Sequence, residues 1–470
     1  MPAGAPRRPV VSVWRDWVVV AALFWINGLV LLNALLHSPF VGYDALDHLR
    51  YIAVLAGGHL PGPDDTAEFF AAPLPYVLPA LLRAFATDRW GVVVKAAQMQ
   101  NVVWSIGLTL MLVRLCQVIR PGGRTFTRWS LMLLAITPVY YKMFAFVRGE
   151  PLAAFLSVVV VERLLTTLAD RRGRVRGWVL LGAGIGLLLL AKQWGAFVAV
   201  AAVAYLAWHV VVERDRRAER MRGLATVSLI AVLICGWYYA SLFQRFGSIA
   251  AFNTPPGERW SLANRPAGFY SDLGLPDLFL DPVRETFAVG ESQALLPVLY
   301  ADFWGDYWCY WVVRAHDPAG GWASGQVLMD IAQSNPVASN RQTIAPYLGR
   351  VNAVALVPTA VVLAGIWLGM TRMWKTRRRR EGDGDAGGLG LATIVVVVTA
   401  GGYFALLIGY PGLDVKAGYL LHAIPFLAML GSAALAHLER ARPVLYRRVV
   451  VVLLLAGLHN APLYITRYVW

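Results

Sequence analysis

Charge is scarce in this 470-residue chain: Asp, Glu, Lys and Arg make up 15% of it, where soluble domains carry roughly 25%. Apolar residues reach 58% and the mean hydropathy is +0.54, which excludes a soluble globular protein. Cysteine is scarcer still. Cys116, Cys235 and Cys309 stand far apart in unlike contexts, so neither a disulfide framework nor a CxxC metal site is supported. Acidic residues are outnumbered, 28 against 43 Lys and Arg, for a net charge of +15. That excess does not point to nucleic acid, because the basic residues sit in short clusters between apolar segments. No small-residue cleavage site follows Arg7, Arg8 and Arg15 before Asn33, so the first apolar stretch reads as an uncleaved span.

Apolar runs long enough to cross ~30 Å of hydrocarbon are what the chain has in abundance. They fall near 17–36, 92–116, 129–147, 150–168, 178–191, 194–212, 223–243, 347–371, 390–409, 418–437 and 448–467. The pattern predicts an all-α, polytopic transmembrane helical bundle of about eleven spans, one domain over 1–470. Threading the spans alternately puts 25 Lys and Arg on one side, against Arg148, Lys192 and Lys416 in the short loops opposite. Loop Lys/Arg bias sets orientation, so the first side, with the N-terminus, is expected in the cytoplasm.

Two segments break the run of short loops, 37–91 and 244–346, and both fall on the outer face. Loops of that length are usually functional. In the first, a helix beginning near Tyr43 would put Asp44, Asp47, His48 and Tyr51 on one face and Leu46, Leu49 and Ala53 on another, the pattern of an interfacial helix with an acidic edge. A carboxylate at the rim of a low-dielectric bundle can have a raised pKa and take a proton from a hydroxyl, the role of a general base. The bland alternative is that Asp44 and Asp47 only solubilise a juxtamembrane turn. From Pro73 to Phe85 the loop is too short to cross and predicts a second surface helix.

The acid just after the first span, a His four positions on, "HLRYI", a "GxLPxP" turn and the proline-rich PLPYVLPALL resemble membrane glycosyltransferases of the GT-C class. Within it the chain is most similar to family 39-like proteins, relatives of protein O-mannosyltransferases and lipid A aminoarabinose transferases. Arg148-Gly149-Glu150-Pro151, Ala191-Lys192-Gln193-Trp194 and Asp414 to Tyr419 stand where such proteins carry polar residues facing the cavity. Two departures are plain. Ala45 replaces the second acid of the Asp-Glu pair many relatives carry, and Ala71-Ala72-Pro73-Leu74-Pro75 stands where many have His or Gln before Pro-Pro.

The resemblance implies a polyprenyl-phosphate sugar donor, an acceptor that is a lipid, glycan or protein, and a site facing the periplasm from a bacterial inner membrane. Transfer through an oxocarbenium-like transition state needs a base for the acceptor hydroxyl and positive charge on the departing phosphate. Asp44 is the expected base, with Asp47 or Glu68 in reserve. Lys192, Lys416, Arg148 and Arg341, all on the outer side, are the expected phosphate-binding cations, because charges at span ends are expensive enough to imply a function. Their structural alternatives are snorkelling or local pairing, for instance Arg148 with Glu150. With these cations no cofactor is required, although Asp44, Asp47 and His48 have the ligand types to hold a divalent ion weakly.

His48, Tyr51, Glu68, Glu150, Trp194 and Tyr419 complete the expected substrate contacts. The aromatic run Leu299 to Trp311 adds Asp302, Trp304 and Asp306, with the two acids one helical turn apart; its alternative reading is an interfacial helix at the headgroup level. The rival function is a transporter or lipid-linked-sugar flippase. Against it, the halves of the chain show no self-similarity and the two long loops share one face. A scaffold subunit would leave Asp44, Lys192 and Lys416 dispensable.

Overall fold

In a computed structural model the described residues are 13–170, 173–282, 294–311, 336–378 and 384–467. Their regular elements are helices, with no strand among the described residues. Eight stretches are long and apolar enough to cross a membrane: Trp17–Leu36, Trp90–Ile119, Glu150–Ala169, Gly195–Val212, Arg214–Phe246, Ile344–Trp374, Gly387–Gly409 and Ala417–Ala441. These correspond to eight of the eleven expected spans. The other three are shorter. The run expected at 129–147 is split into Arg124–Ala135 and Pro138–Ala145, because Pro138 lacks an N–H and disfavours helix in the residue before it. Those at 178–191 and 448–467 become the 17-residue helices Val175–Ala191 and Pro443–His459.

Burial sorts the helices into layers. In the stretch Ala417–Ala441, 83% of the apolar window is buried inside the protein, and in Glu150–Ala169, 67%. Arg214–Phe246 and Ile344–Trp374, at 28%, lie at the periphery. Val175–Ala191 packs closely on the former because Gly182 and Gly186 line the contact. A Cβ on either would come within 2.8 Å of Val227 or Ile234, the close approach that small residues four apart allow in membranes.

The first long loop folds as two helices, Ala45–Ala56 (here α1) and Leu74–Phe85 (α2), both 12 residues and too short to cross. They meet through Tyr51 on Tyr76, with ring centroids 4.4 Å apart, and through a 2.8 Å hydrogen bond between the Tyr76 hydroxyl and His48 Nδ1. The expected partition of α1 into acidic and apolar faces is therefore modified. His48, Leu49, Tyr51 and Ile52 are all buried, because α2 and neighbouring loop segments cover the helix.

Candidate active site

Helix ends bring the charged residues together. Asp44 precedes α1, Arg148 and Glu150 flank the turn into Glu150–Ala169, Lys192 ends Val175–Ala191, and Lys416 follows Gly384–Gly409. Gly149 makes one of these approaches possible. A Cβ there would lie 2.5 Å from the Ala191 carbonyl, so only glycine lets the Arg148–Glu150 turn sit against Lys192.

The result is a chain of alternating charge. Lys416 Nζ lies 3.5 Å from Asp414 and donates to Asp44 Oδ2 at 3.4 Å, and Arg148 Nη1 is 3.7 Å from the same Asp44 oxygen. Arg148 grips Glu150 with two hydrogen bonds, of 3.1 and 3.0 Å, and donates to the Tyr43 carbonyl. Lys192 joins Glu150 at 3.5 Å to Glu68 at 3.4 Å, and Glu68 lies 3.8 Å from His48 Nδ1. The Arg148, Glu150, Lys192 and Glu68 side chains are almost wholly buried, whereas Asp44 and Asp414, 33% and 31% exposed, mark the open end.

Asp44 is held in an unusual way. Its backbone is left-handed, at φ 55° and ψ 24°, which is strained for a non-glycine residue. It stands at the N-cap of α1, yet its side chain makes no capping bond and turns to Lys416 and Arg148 instead. The expected raised pKa is not found. Burial pushes the carboxyl up, but Lys416 and Arg148 outweigh it and hold it at about 2. Glu68 goes the other way: burial raises its carboxyl, and Lys192 offsets only part of the rise. Burial, with Arg148 and Lys192 nearby, keeps His48 neutral by holding its pKa well below the ordinary value.

The remaining expected residues divide. Tyr419 joins the cluster as an aromatic wall, 6.0 Å from the Arg148 guanidinium and 5.0 Å from the Trp194 ring. Three buried polar atoms near the Glu68–Lys192 end have no hydrogen-bond partner among the described residues: His48 Nε2, Tyr51 Oη and Trp194 Nε1. Asp47 stands apart, accepting from Thr66 Oγ1 and Ala67 N and pairing with Arg50. Asp44, Asp47 and His48 thus face different partners, and no group of three His, Cys, Asp or Glu among the described residues is placed to hold a metal ion.

The aromatic run packs into the protein interior. It folds as Leu295–Trp304, and Asp306 lies beyond the helix end. Asp302 and Asp306 are fully buried and Trp304 nearly so, and Lys142 offsets the charge of the two acids, at 2.5 and 3.9 Å. Arg341 falls in Pro336–Val354, where its side chain lies outside the described residues.

Sequence reasoning passed over Lys142, Tyr43 and Tyr76, and read Asp414 only as part of a polar stretch facing the cavity. For Lys142 the signal was present: a lone lysine in the apolar run PVYYKMFAF is expensive in a span and demands a partner.

Residues 75–239 match the profile of the family described as Dolichyl-phosphate-mannose-protein mannosyltransferase. None of the curated protein sequences is significantly similar to the chain. The Archaeoglobus fulgidus oligosaccharyltransferase in its apo form superposes at a TM-score of 0.53 and 16% identity, over 97% of this chain and 56% of that one. The same enzyme in complex with an inhibitory peptide and a dolichol-phosphate gives 0.51 and 14%, over 96% and 56%. The chain therefore spans little more than half the length of these relatives. ArnT from Cupriavidus metallidurans bound to undecaprenyl phosphate matches at 0.36 and 14%, over 92% and 80%. Profile match and archaeal superposition together bear out the resemblance drawn from the sequence: this is a membrane protein of the GT-C glycosyltransferase fold.

Proposed function

We propose that the chain transfers a sugar from a polyprenyl-phosphate donor to an acceptor hydroxyl at the outer face of a bacterial inner membrane. The observation that carries this reading is Asp44, a partly exposed carboxylate lying between Lys416 and Arg148, with Lys192 behind them. The acceptor oxygen attacks the anomeric carbon, its proton passes to Asp44, and the bond to the phosphate oxygen breaks. The departing phosphate takes its stabilising charge from Lys416, Arg148 and Lys192.

Base and leaving group are linked through these cations. With the site empty, Lys416 and Arg148 make Asp44 a weak base. As they turn to the phosphate, the carboxylate loses their charge and its basicity rises. The three unpartnered atoms of His48, Tyr51 and Trp194 are available to sugar or acceptor hydroxyls, since buried polar groups seek partners. A groove of about 520 Å³ between Phe197, Trp260, Gly402 and Tyr410 supports a place for the isoprenoid tail. Its Phe197 stacks on Trp194, which leads through Tyr419 to the cations.

The test is Asp44→Asn in the full chain. Transfer, followed by mass spectrometry of envelope glycolipids and glycans, should fall by about 10²–10⁴-fold, the range of a lost general base, while undecaprenyl phosphate still binds. Unchanged glycoconjugates would overturn the reading in favour of a flippase or transporter.

A further inference from the structure

Asp302 lies outside the charge chain, and both its oxygens are committed. Oδ1 accepts from Lys142 Nζ at 2.5 Å and from the Tyr43 hydroxyl at 2.7 Å, while Oδ2 accepts from the Ala417 backbone N–H at 2.6 Å. Lys142 also donates to the Asp302 carbonyl and lies 3.9 Å from Asp306, whose other oxygen accepts from Trp311 N. Asp302 and Lys142 are fully or almost fully buried. Two charges removed from water need partners of this quality, and in general a buried ion pair is often no more stabilising than apolar side chains of similar volume.

The sequence positions of those partners are what matter. Tyr43 immediately precedes Asp44, and Ala417 immediately follows Lys416. A single rigid carboxylate thus ties the neighbour of the expected base to the neighbour of the expected phosphate cation, across two segments hundreds of residues apart. The Tyr43 ring completes the link, with Lys416 Nζ 5.4 Å and the Arg148 guanidinium 5.5 Å from its centroid. Fixing Tyr43 also limits how far Asp44 can relax from its left-handed backbone.

We infer that the Asp302–Lys142 pair is a positioning device that sets the spacing between Asp44 and Lys416, with Asp302 acting on the phosphate through Lys416 and touching no substrate itself. The inference rests on the reaction proposed above.

A double-mutant cycle tests it, on the purified full chain in lipid nanodiscs with undecaprenyl phosphate as the probe. Lys416→Met should weaken binding, and Asp302→Asn alone should weaken it about tenfold. In the Lys416→Met background Asp302→Asn should cost nothing further, because the cation it places is gone. Equal losses in both backgrounds would show a merely structural residue and overturn the inference while leaving the function intact. An unaffected Lys416→Met would instead sink the phosphate role and the function with it. Should Asp302→Asn fail to fold, Tyr43→Phe, which deletes one hydroxyl from the same link, enters the cycle. There a smaller loss of about threefold that vanishes with Lys416→Met supports the device, and an additive loss rejects it.

Discussion

Asp44 and Glu68 sit in one cluster and are pushed in opposite directions. For Asp44 the folded value of about 2 lies below the ordinary 3.8. Its ion pairs therefore stabilise the fold above that ordinary value and are lost only as pH falls through about 2. The kcat/KM for transfer, which reports the empty site, should show no loss from Asp44 protonation between about pH 5 and 8, measurable as a pH–rate profile. Glu68 is raised, so its protonated form favours the fold, and the benefit is lost as pH rises through the folded value. Protonated Glu68 also leaves Lys192 with Glu150 as its charged partner, and so freer for phosphate. The ratio of undecaprenyl phosphate affinity in wild type to that in Glu68→Gln should decline as pH rises. Taking the ratio cancels the lipid phosphate's own titration, and a flat ratio would refute the link.

At this scale the sequence was legible where a charge had no cheap explanation. Arg148, Lys192 and Lys416 stood out on a face poor in Lys and Arg, and the structure gathers all three with Asp44. Lys142 carried the same signal, a charge inside an apolar run, but its partner Asp302 is 160 positions away and could not be named from it. The direction of the Asp44 shift was hidden for the same reason: burial can be guessed from a span end, but two facing cations arrive from segments remote in sequence.

Among elements, the groove depends on one close approach. A Cβ on Gly402, in the helix Gly384–Gly409, would lie 2.2 Å from the Phe197 ring, so any side chain there displaces the ring that forms part of the groove wall. Gly402→Ala should weaken binding of undecaprenyl phosphate several-fold and leave a short-chain alkyl phosphate unchanged, as read by competition on the purified protein. Equal losses for both lengths would place the tail elsewhere. Helix existence was legible from apolar run length, whereas breaks were less so. Pro138 splits an expected span into Arg124–Ala135 and Pro138–Ala145, and the covering of α1 by α2 was invisible to a periodicity argument that treats each helix alone.

For the whole molecule, the asymmetry of Lys and Arg makes a definite claim about sidedness. The three native cysteines are buried, so a cysteine introduced at an exposed site reports alone. Asp64→Cys, in the first long loop, should react with a membrane-impermeant maleimide in intact cells. Asp215→Cys, exposed before Arg217–Phe246, should react only after the membrane is opened. The reverse pattern would invert the orientation and move the site to the cytoplasm.

In the reaction proposed above, the shared cations also bear on how a catalytic round ends. Lys416 and Arg148 have two suitors, the aspartate in the empty site and the spent lipid phosphate in the product complex, and cannot satisfy both fully. Once Asp44 has released its proton to water, its recovered negative charge competes for the ammonium and guanidinium and loosens the lipid from behind. The carboxylate that starts the chemistry would thus also eject the carrier, and removing it should leave an enzyme that is both slow and clogged.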